Sequence, residues 1–436
     1  MASREFHLCI FEDEFTTHLL PLVYLRPSYD LRCGVFTLRR KIQTLFADSP
    51  VTLHCRTYLE EVVRERNPGT RVNEFADADY LFVNGRLLPE PSLAKHLRAA
   101  NSEVVFLKGV VVVAARISRE RIEVFRSYLS STDNPDGFLL SVEHFEEVPK
   151  IEIDASLISY PWDLFHKNGE EIVRDFQIIA RRERGTAISG RIYPGVHLVG
   201  KKNIRVGRKS VIKSGAVLDA EEGPILIGEN VTVFPQATII GPAYIGERSL
   251  VKVGAQIYGG TTIGPMCKVG GEIEGSILHA YANKQHAGFL GHSYLGEWVN
   301  LGADTNNSDL KNSYGTVKVD LGFEKIDSKS QFVGLTMGDH SKSGINTMFN
   351  TGTVVGVCCN IFGSDFPPKY VPSFSWGGSD EMQTYDINRA VEVARRVMAR
   401  RNVQLSRAEE KLLTTIFERT SAERLARGIG GGDRRA

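Results

Sequence analysis

From residue 227 an aliphatic residue returns every six positions: Ile227, Val233, Ile239, Ile245, Val251, Ile257, Ile263 and Val269. Four places after each stands a mostly small residue: Val231, Ala237, Ala243, Ser249, Ala255, Thr261, Cys267 and then Ile273. The same phase is visible earlier at Val206, Ile212 and Leu218, and it returns at Leu295, Leu301, Met337, Ser343, Phe349, Val355 and Ile361. A helix repeats every ~3.6 residues and a strand every two, so a period of six fits neither alone. It fits a short flat strand followed by a corner. Three such hexads close one triangular coil with the aliphatic side chain pointing inward, and the i+4 residue stays small because it sits near a tight corner. The pattern therefore predicts a parallel β-helix of hexapeptide repeats over residues 190–365. Two interruptions, between Gly275 and Leu295 and between Asn306 and Met337, are long enough to project loops from the coil edge.

Residues 1–180 read as a separate α/β domain. Its expected strands are Phe6–Phe11, Val51–Cys55, Tyr80–Val83 and the apolar run Val104–Ala115, with helices between them at Tyr58–Glu65 and Pro91–Ala99. Strands alternating with helices predict a parallel, Rossmann-like sheet. Residues 161–182 read as helical and lead through RGTAISGRIYPGVHL into the first coil. A helical period resumes over 378–428, where Ser406 and Glu409 form a capping-box signature. The tail GIGGGDRRA has the composition of a disordered end.

Composition narrows the class further. Lys plus Arg number 53 against 52 Asp plus Glu, which argues against a nucleic-acid binder. No apolar run approaches the ~20 residues of a membrane span, and the start MASREFHLCIFEDEF lacks the form of a signal peptide. Six cysteines without a CxxC pair or a zinc-spaced histidine point to a reduced, cytoplasmic chain with no metal site.

The segment KQHAGFLGHSYLGEWVNLGADTNNSD (284–309) resembles the KAGHLTYLG…IGDNVNIGAGT element of the bifunctional enzymes that acetylate glucosamine 1-phosphate and then attach UMP. RPSYDLRCGVFTL, NGRLLPE and HSKSGINTMFNTGTVVG resemble members of that group with a divergent first domain. The resemblance implies a nucleotidyltransferase-like domain joined to a left-handed hexapeptide β-helix. It also implies a homotrimer, and as substrates a sugar 1-phosphate with a nucleoside triphosphate or with acetyl-CoA as acyl donor.

His286 stands five residues before Gly291 of FLG, the spacing that the family's catalytic histidine keeps to its YLG glycine. Amine acetylation needs a base near neutral pH, and imidazole is suited to it. His292 is the rival, and a packed or solvated histidine is the competing explanation for either. The interruptions carry Lys284, Asn306, Asn307, Asn312 and Tyr314, side chains suited to sugar hydroxyls. Lys252 falls where the family has a phosphate-gripping arginine, keeping the charge without the bidentate geometry. On later coils the resemblance implies acetyl-CoA contacts at Ser341, Lys342 and Asn346.

In the first domain the family's glycine-rich phosphate loop is replaced by FEDEFTTHLLPLVYLRP, which has no glycine. The family's metal-binding aspartate is Arg86 here. Arg26 and Asp163 remain as the residues expected to contact phosphate, and Mg²⁺ chemistry by the usual route is not supported. The functional expectation is a nucleotide-sugar transferase, acting as an acyltransferase, a nucleotidyltransferase or both. Two other readings stay open: a non-catalytic sensor of sugar nucleotides, and a carbonic-anhydrase-type hexapeptide protein that gathers three histidines across subunits.

Overall fold

A computed structural model describes residues 6–100, 102–129, 139–182 and 187–430. Residues 184–186 of the expected lead-in and 431–436 of the tail lie outside the described residues.

The first domain is built on a seven-stranded sheet. His7–Phe11 pairs in parallel with Val51–Leu53 on one side and Tyr80–Asn84 on the other, and Arg71–Val72 forms the outer edge. The sheet is mixed rather than parallel. The apolar run expected as one strand is a hairpin, Val104–Lys108 and Val111–Ile117, turned at Gly109. Val111–Ile117 runs antiparallel to both neighbours. The reversal is marked by the exposed pair Lys108–Gly109, which separates two strands otherwise buried on both faces. Pro91–Ala99 is helical as expected, and residues 161–182 divide into Pro161–His166 and Asn168–Arg182.

The repeat half is a left-handed parallel β-helix of triangular section. Its first face climbs from Arg191–Ile192 through Leu250–Val251, Lys268–Val269 and Asn283–Lys284, then by single bridges at Asn300 to Lys342–Ser343. The second face runs from His197–Val199 to Phe289–Gly291, and the third from Ile204–Val206 to Tyr370–Val371. The hexad aliphatics form one continuous buried core, with Val233, Ile239, Ile245, Val251, Ile263 and Val269 fully inside. The stacked strands continue past residue 365 to Ser375–Gly377. Helices Ile387–Ala399, Arg407–Arg419 and Ser421–Ala426 close the chain, and Ser406 and Glu409 cap the second of them reciprocally.

One expected interruption is absent. Residues 275–295 make an ordinary coil of short strands, Ile277–Leu278, Asn283–Lys284, Phe289–Gly291 and Tyr294–Leu295, each in register with the coil before it. The steps from Val269 to Ile273, Ile273 to Leu278 and Leu290 to Leu295 are shorter than six, which broke the sequence phase without breaking the prism. The second interruption does project: residues 308–334 leave the coil and carry the hairpin Lys318–Asp320/Lys325–Asp327.

The two halves share their cores. Leu8, Ile10, Leu81 and Val83 of the first sheet pack in one cluster with Val357, Phe374, Ala390 and Leu412. Leu19, Leu22 and Trp162 pack with Ile277, Tyr294 and Val354 in another. No helix among the described residues is long and apolar enough to cross a membrane.

Candidate functional site

In the first domain the chain leaves the strand His7–Phe11 as Glu12–Asp13, at the edge where a glycine loop would cradle phosphates. Both carboxylates are buried and already paired. Arg56 donates Nε to Glu12 Oε2 at 3.0 Å and Nη2 to Oε1 at 3.1 Å. Arg86 donates Nε to Asp13 Oδ1 at 2.8 Å and Nη1 to the Ile158 carbonyl at 2.8 Å. Asn84 Nδ2 adds a bond to Asp13 Oδ2 at 2.8 Å. These residues do not fit a magnesium ion. A guanidinium occupies the place of the metal-binding carboxylate and neutralises the nearest acid, and no cluster of three metal-ligating side chains occurs among the described residues.

Arg26 and Asp163 are committed elsewhere, so the phosphate role expected of them is corrected. Arg26 is buried against the β-helix, with Nη2 2.7 Å from Asp339 Oδ2 and 3.2 Å from Glu297 Oε2. A cation that already faces two carboxylates has no charge to spare for phosphate. Asp163 caps its own helix, its Oδ2 accepting the backbone N–H of Ser159 at 2.7 Å and of Tyr160 at 3.0 Å.

On the β-helix, Lys284 does not point into a loop. It stands opposite Val269 at an inward position of the first face and is 2 % exposed. Its ammonium turns to the corner and donates to the carbonyls of Gly270 at 3.0 Å, His286 at 2.9 Å and Ala287 at 3.4 Å. Burial pushes its pKa down to about 8. His286 is exposed on that corner, two residues after the lysine that anchors its backbone.

The polar residues expected around it divide. Asn306 is exposed on the second face and accepts the Phe289 N–H at 2.8 Å. Asn307 points inward, is 5 % exposed, and bonds both polar groups of Gly291, so it supports the coil and is not free for a sugar. Asn312 and Tyr314 are exposed on the projecting segment 308–334. Lys252 lies outward on the first face with its ammonium 5.5 Å from the Phe234 ring centre. Ser341 is fully buried. Its hydroxyl donates to the Gly356 carbonyl at 2.7 Å and accepts the Cys359 N–H at 2.9 Å, which removes it from any cofactor surface. Lys342 donates to the His340 carbonyl at 2.7 Å, and Asn346 turns a corner with φ of 54°.

His292 occupies a different corner, where the second face meets the third. The equivalent turns are glycine at 260, 275 and 352, yet His292 holds φ of 42° there. Its Nδ1 is 2.8 Å from Asp309 Oδ2, and its ring lies against the bare face of Gly275. The rings of Phe332 and His166 stand 5.1 and 6.4 Å away, centre to centre. A carboxylate that fixes one ring nitrogen leaves the other as acid or base. Sequence reasoning missed Asp309 and His166, since nothing in SDLK or DLFHK marks them; they meet His292 only through the projecting segment and the docked first domain. The two imidazoles therefore sit at opposite ends of the strand Phe289–Gly291, one open to solvent and the other enclosed by its own chain.

Comparison with known proteins places the two halves in a context. Residues 8–184 match the family described as sugar nucleotidyl transferase. The bifunctional protein GlmU of Methanococcus aeolicus is 32% identical over 157 residues, which is 36% of this chain and 37% of the relative. That of Synechococcus sp. is 29% identical over 188 residues, 42% of this chain and 36% of the relative. The matches thus span little more than a third of those relatives' length. Among solved structures, the UDP-N-acetylglucosamine acyltransferase from Campylobacter jejuni covers 53% of this chain and 96% of its own at 12% identity, with a TM-score of only 0.20. The chain is thus similar to GlmU proteins over about a third of their length, with residues 8–184 matching the sugar nucleotidyl transferase model and followed by a left-handed hexapeptide β-helix.

Proposed function

We propose that this chain is a transferase of amino-sugar nucleotide metabolism whose working centre is the β-helix. It moves an acyl group, with acetyl-CoA as donor, to the amine of a sugar phosphate. The observation that carries the reading is the corner at His286. An exposed imidazole projects from the open edge of the prism, its backbone is pinned from inside by Lys284, and it stands at the spacing from Gly291 that the resemblance implies. In the reaction the imidazole takes the proton as the amine attacks the thioester carbonyl, and the thiolate leaves. A positioned base contributes roughly 10²–10⁴-fold. His286→Ala should lower acetyl transfer by that range while leaving the circular dichroism and melting temperature unchanged, because the ring lies outside the core. His292→Ala is the control; if it is the more damaging change, the base is the Asp309-held imidazole.

The edge carrying His286 is uncovered within one chain, and exposed Val253, Ile345 and Met348 lie along the same side of the prism. Homotrimerisation through this side would complete the site. Light scattering that finds a stable monomer at micromolar concentration removes both the assembly and the shared site. A cytoplasmic location fits the donor and the six buried free cysteines.

Nucleotidyl transfer in the first domain would require the Asp13–Arg86 and Glu12–Arg56 pairs to open. That filled cleft supports a second reading, in which the first domain has a binding or structural role beside a catalytic β-helix.

A further inference from the structure

The inward row of the first face climbs through Ile212, Val233, Val251 and Val269 to Lys284, and Leu301 follows it. A charge placed among aliphatics is costly unless its donors are satisfied. The lysine stem carries the ammonium to the corner where the first face turns into the second, and that corner is built around it. Gly271, on the preceding coil, turns there with φ of 69°. A Cβ at 271 would come within 2.7 Å of Lys284 Nζ and 2.8 Å of the His286 oxygen, so a side chain there would take the space that the ammonium uses.

Residues 285–288 then cross to the next strand with few ties. The Ala287 carbonyl accepts the Asp304 N–H at 3.2 Å, and the Gly288 carbonyl accepts the Glu272 N–H at 3.2 Å. The His286 carbonyl has one donor among the described residues, Lys284 Nζ at 2.9 Å. The exposed imidazole makes no hydrogen bond of its own among them. Where it stands is therefore set by the backbone beneath it, and that backbone is held by the buried lysine.

We propose that Lys284 is a positioning residue for acyl transfer: its ammonium holds the His286 carbonyl, and so the backbone that carries the imidazole, in the geometry that takes the proton from the attacking amine. This role deepens the acyl-transfer reading and rests on it. It adds a regulation that the histidine by itself lacks. An ammonium offers three N–H donors to three carbonyls, whereas the neutral amine offers two and turns a lone pair toward the remaining oxygen. Loss of that proton loosens the hold on His286. The ionised groups facing Lys284 are Asp304 on the following coil and Glu272 on the preceding one, and both favour its charged form; burial outweighs them and brings the pKa down to about 8. The centre is thus assembled below about pH 8 and loosens above it. A base and an amine acting without such a hold give a rate that rises with pH and then levels, as both lose their protons.

The test is the pH dependence of acetyl transfer by the full-length protein, with acetyl-CoA and glucosamine 1-phosphate. kcat should fall at least about tenfold between about pH 7 and about pH 10 with KM little changed, since displacing a catalytic group by about 1 Å can cost ~10²-fold. Circular dichroism should stay that of the folded protein, because burial favours the neutral amine and the contribution of Lys284 to stability rises over the same range. Lys284→Met should lack the alkaline fall and show at neutral pH the lowered kcat that the parent reaches at high pH. That variant also loses stability, so Asp304→Asn tests the same link without touching the lysine. Asp304 is exposed and turns with φ of 56°, a conformation that asparagine adopts readily, and its loss should move the fall to lower pH. An NMR titration separates this role from the reaction itself. The His286 ring signal, identified by its absence from His286→Ala, should inflect near pH 8 in the parent and lower in Asp304→Asn. A ring that follows the lysine in a protein that transfers no acetyl group keeps the link and loses the reaction. A rate that stays level to about pH 10, a fall that Asp304→Asn leaves in place, or a ring signal blind to the lysine overturns the proposal.

Discussion

Lys284 shows how far a residue's role depends on which way it points. In sequence it is a polar residue in a disrupted stretch. In the fold it takes the place of a core aliphatic, and its ammonium closes the carbonyls of Gly270 and His286 and adds a longer bond to that of Ala287, which also accepts the Asp304 N–H. Buried carbonyls without donors are costly, so Lys284→Met should destabilise the protein although its volume fits. The depressed pKa fixes the sign of a pH effect. Between about 8 and the ordinary 10.5 the unfolded chain holds a proton at this residue that the folded chain has released. Stability from this group therefore rises with pH through that window, and below it the cost of the buried charge is fully present. Denaturant titrations at pH 7 and 9.5 should show the parent gaining on Lys284→Met as pH rises. A difference that stays constant would mean that the amine does not titrate there. The candidate site was half legible at this scale: His286 and Asn306 face outward as the sequence suggested, while Ser341 and Asn307 face inward. A period of six marks the aliphatic positions, but it does not say which polar residues substitute for them inside.

At the scale of elements, the hexads were read correctly because each rung repeats the same environment and chance cannot sustain the phase. The coil 275–295 was read as a loop because its steps shorten. Register there is kept by hydrogen bonds to the coil before, such as Lys268 N–H to the Ala282 carbonyl and Gly270 N–H to the Lys284 carbonyl, and by the compensation Lys284 supplies. The corners between the third and first faces show another feature hidden in the sequence. Tyr281, Trp298 and His340 all turn with positive φ and stack in a column, Tyr281 on Trp298 at 4.1 Å and Trp298 on His340 at 6.2 Å. Stacking across 17 residues of chain and then across the projecting segment offsets the backbone strain. In the first domain, alternation of strands and helices gave the α/β class, but the hairpin that makes the sheet mixed lies within one largely apolar run, turned at Lys108–Gly109.

For the whole molecule, the decisive fact is that the two halves are one body. Their apolar clusters interpenetrate, and polar contacts bind the seam. Arg26 pairs with Asp339 and Glu297, Asn168 donates to the Gly260 carbonyl at 2.7 Å, and the Tyr294 hydroxyl accepts the Arg32 N–H at 3.0 Å. Removing one partner of a buried pair leaves the other charge uncompensated, at roughly 3–5 kcal/mol. Arg26→Ala should therefore lower unfolding free energy by about that amount. Scanning calorimetry of the parent should give a single cooperative transition that moves as a unit in the variant. Two separated transitions in the parent would show that the seam is not shared.

The sequence by itself determined the β-helix, the α/β class of the first domain, the helical end with its Ser406 cap, and the loss of the glycine loop and metal aspartate. Each is a local or strictly periodic signal, carried by side-chain size or by a residue type that a turn or a phosphate requires. Tertiary structure alone decided what replaced the lost loop, since the pairs Glu12–Arg56 and Asp13–Arg86 join residues 44 and 73 positions apart. It also took Arg26 from a phosphate role into the seam, set Asp309 and His166 beside His292, and brought Arg401 of the C-terminal helices onto Asn283 of the first face. Charges act through space, and which charges become neighbours is fixed only when the coil, its projecting segment and the docked domains close upon one another.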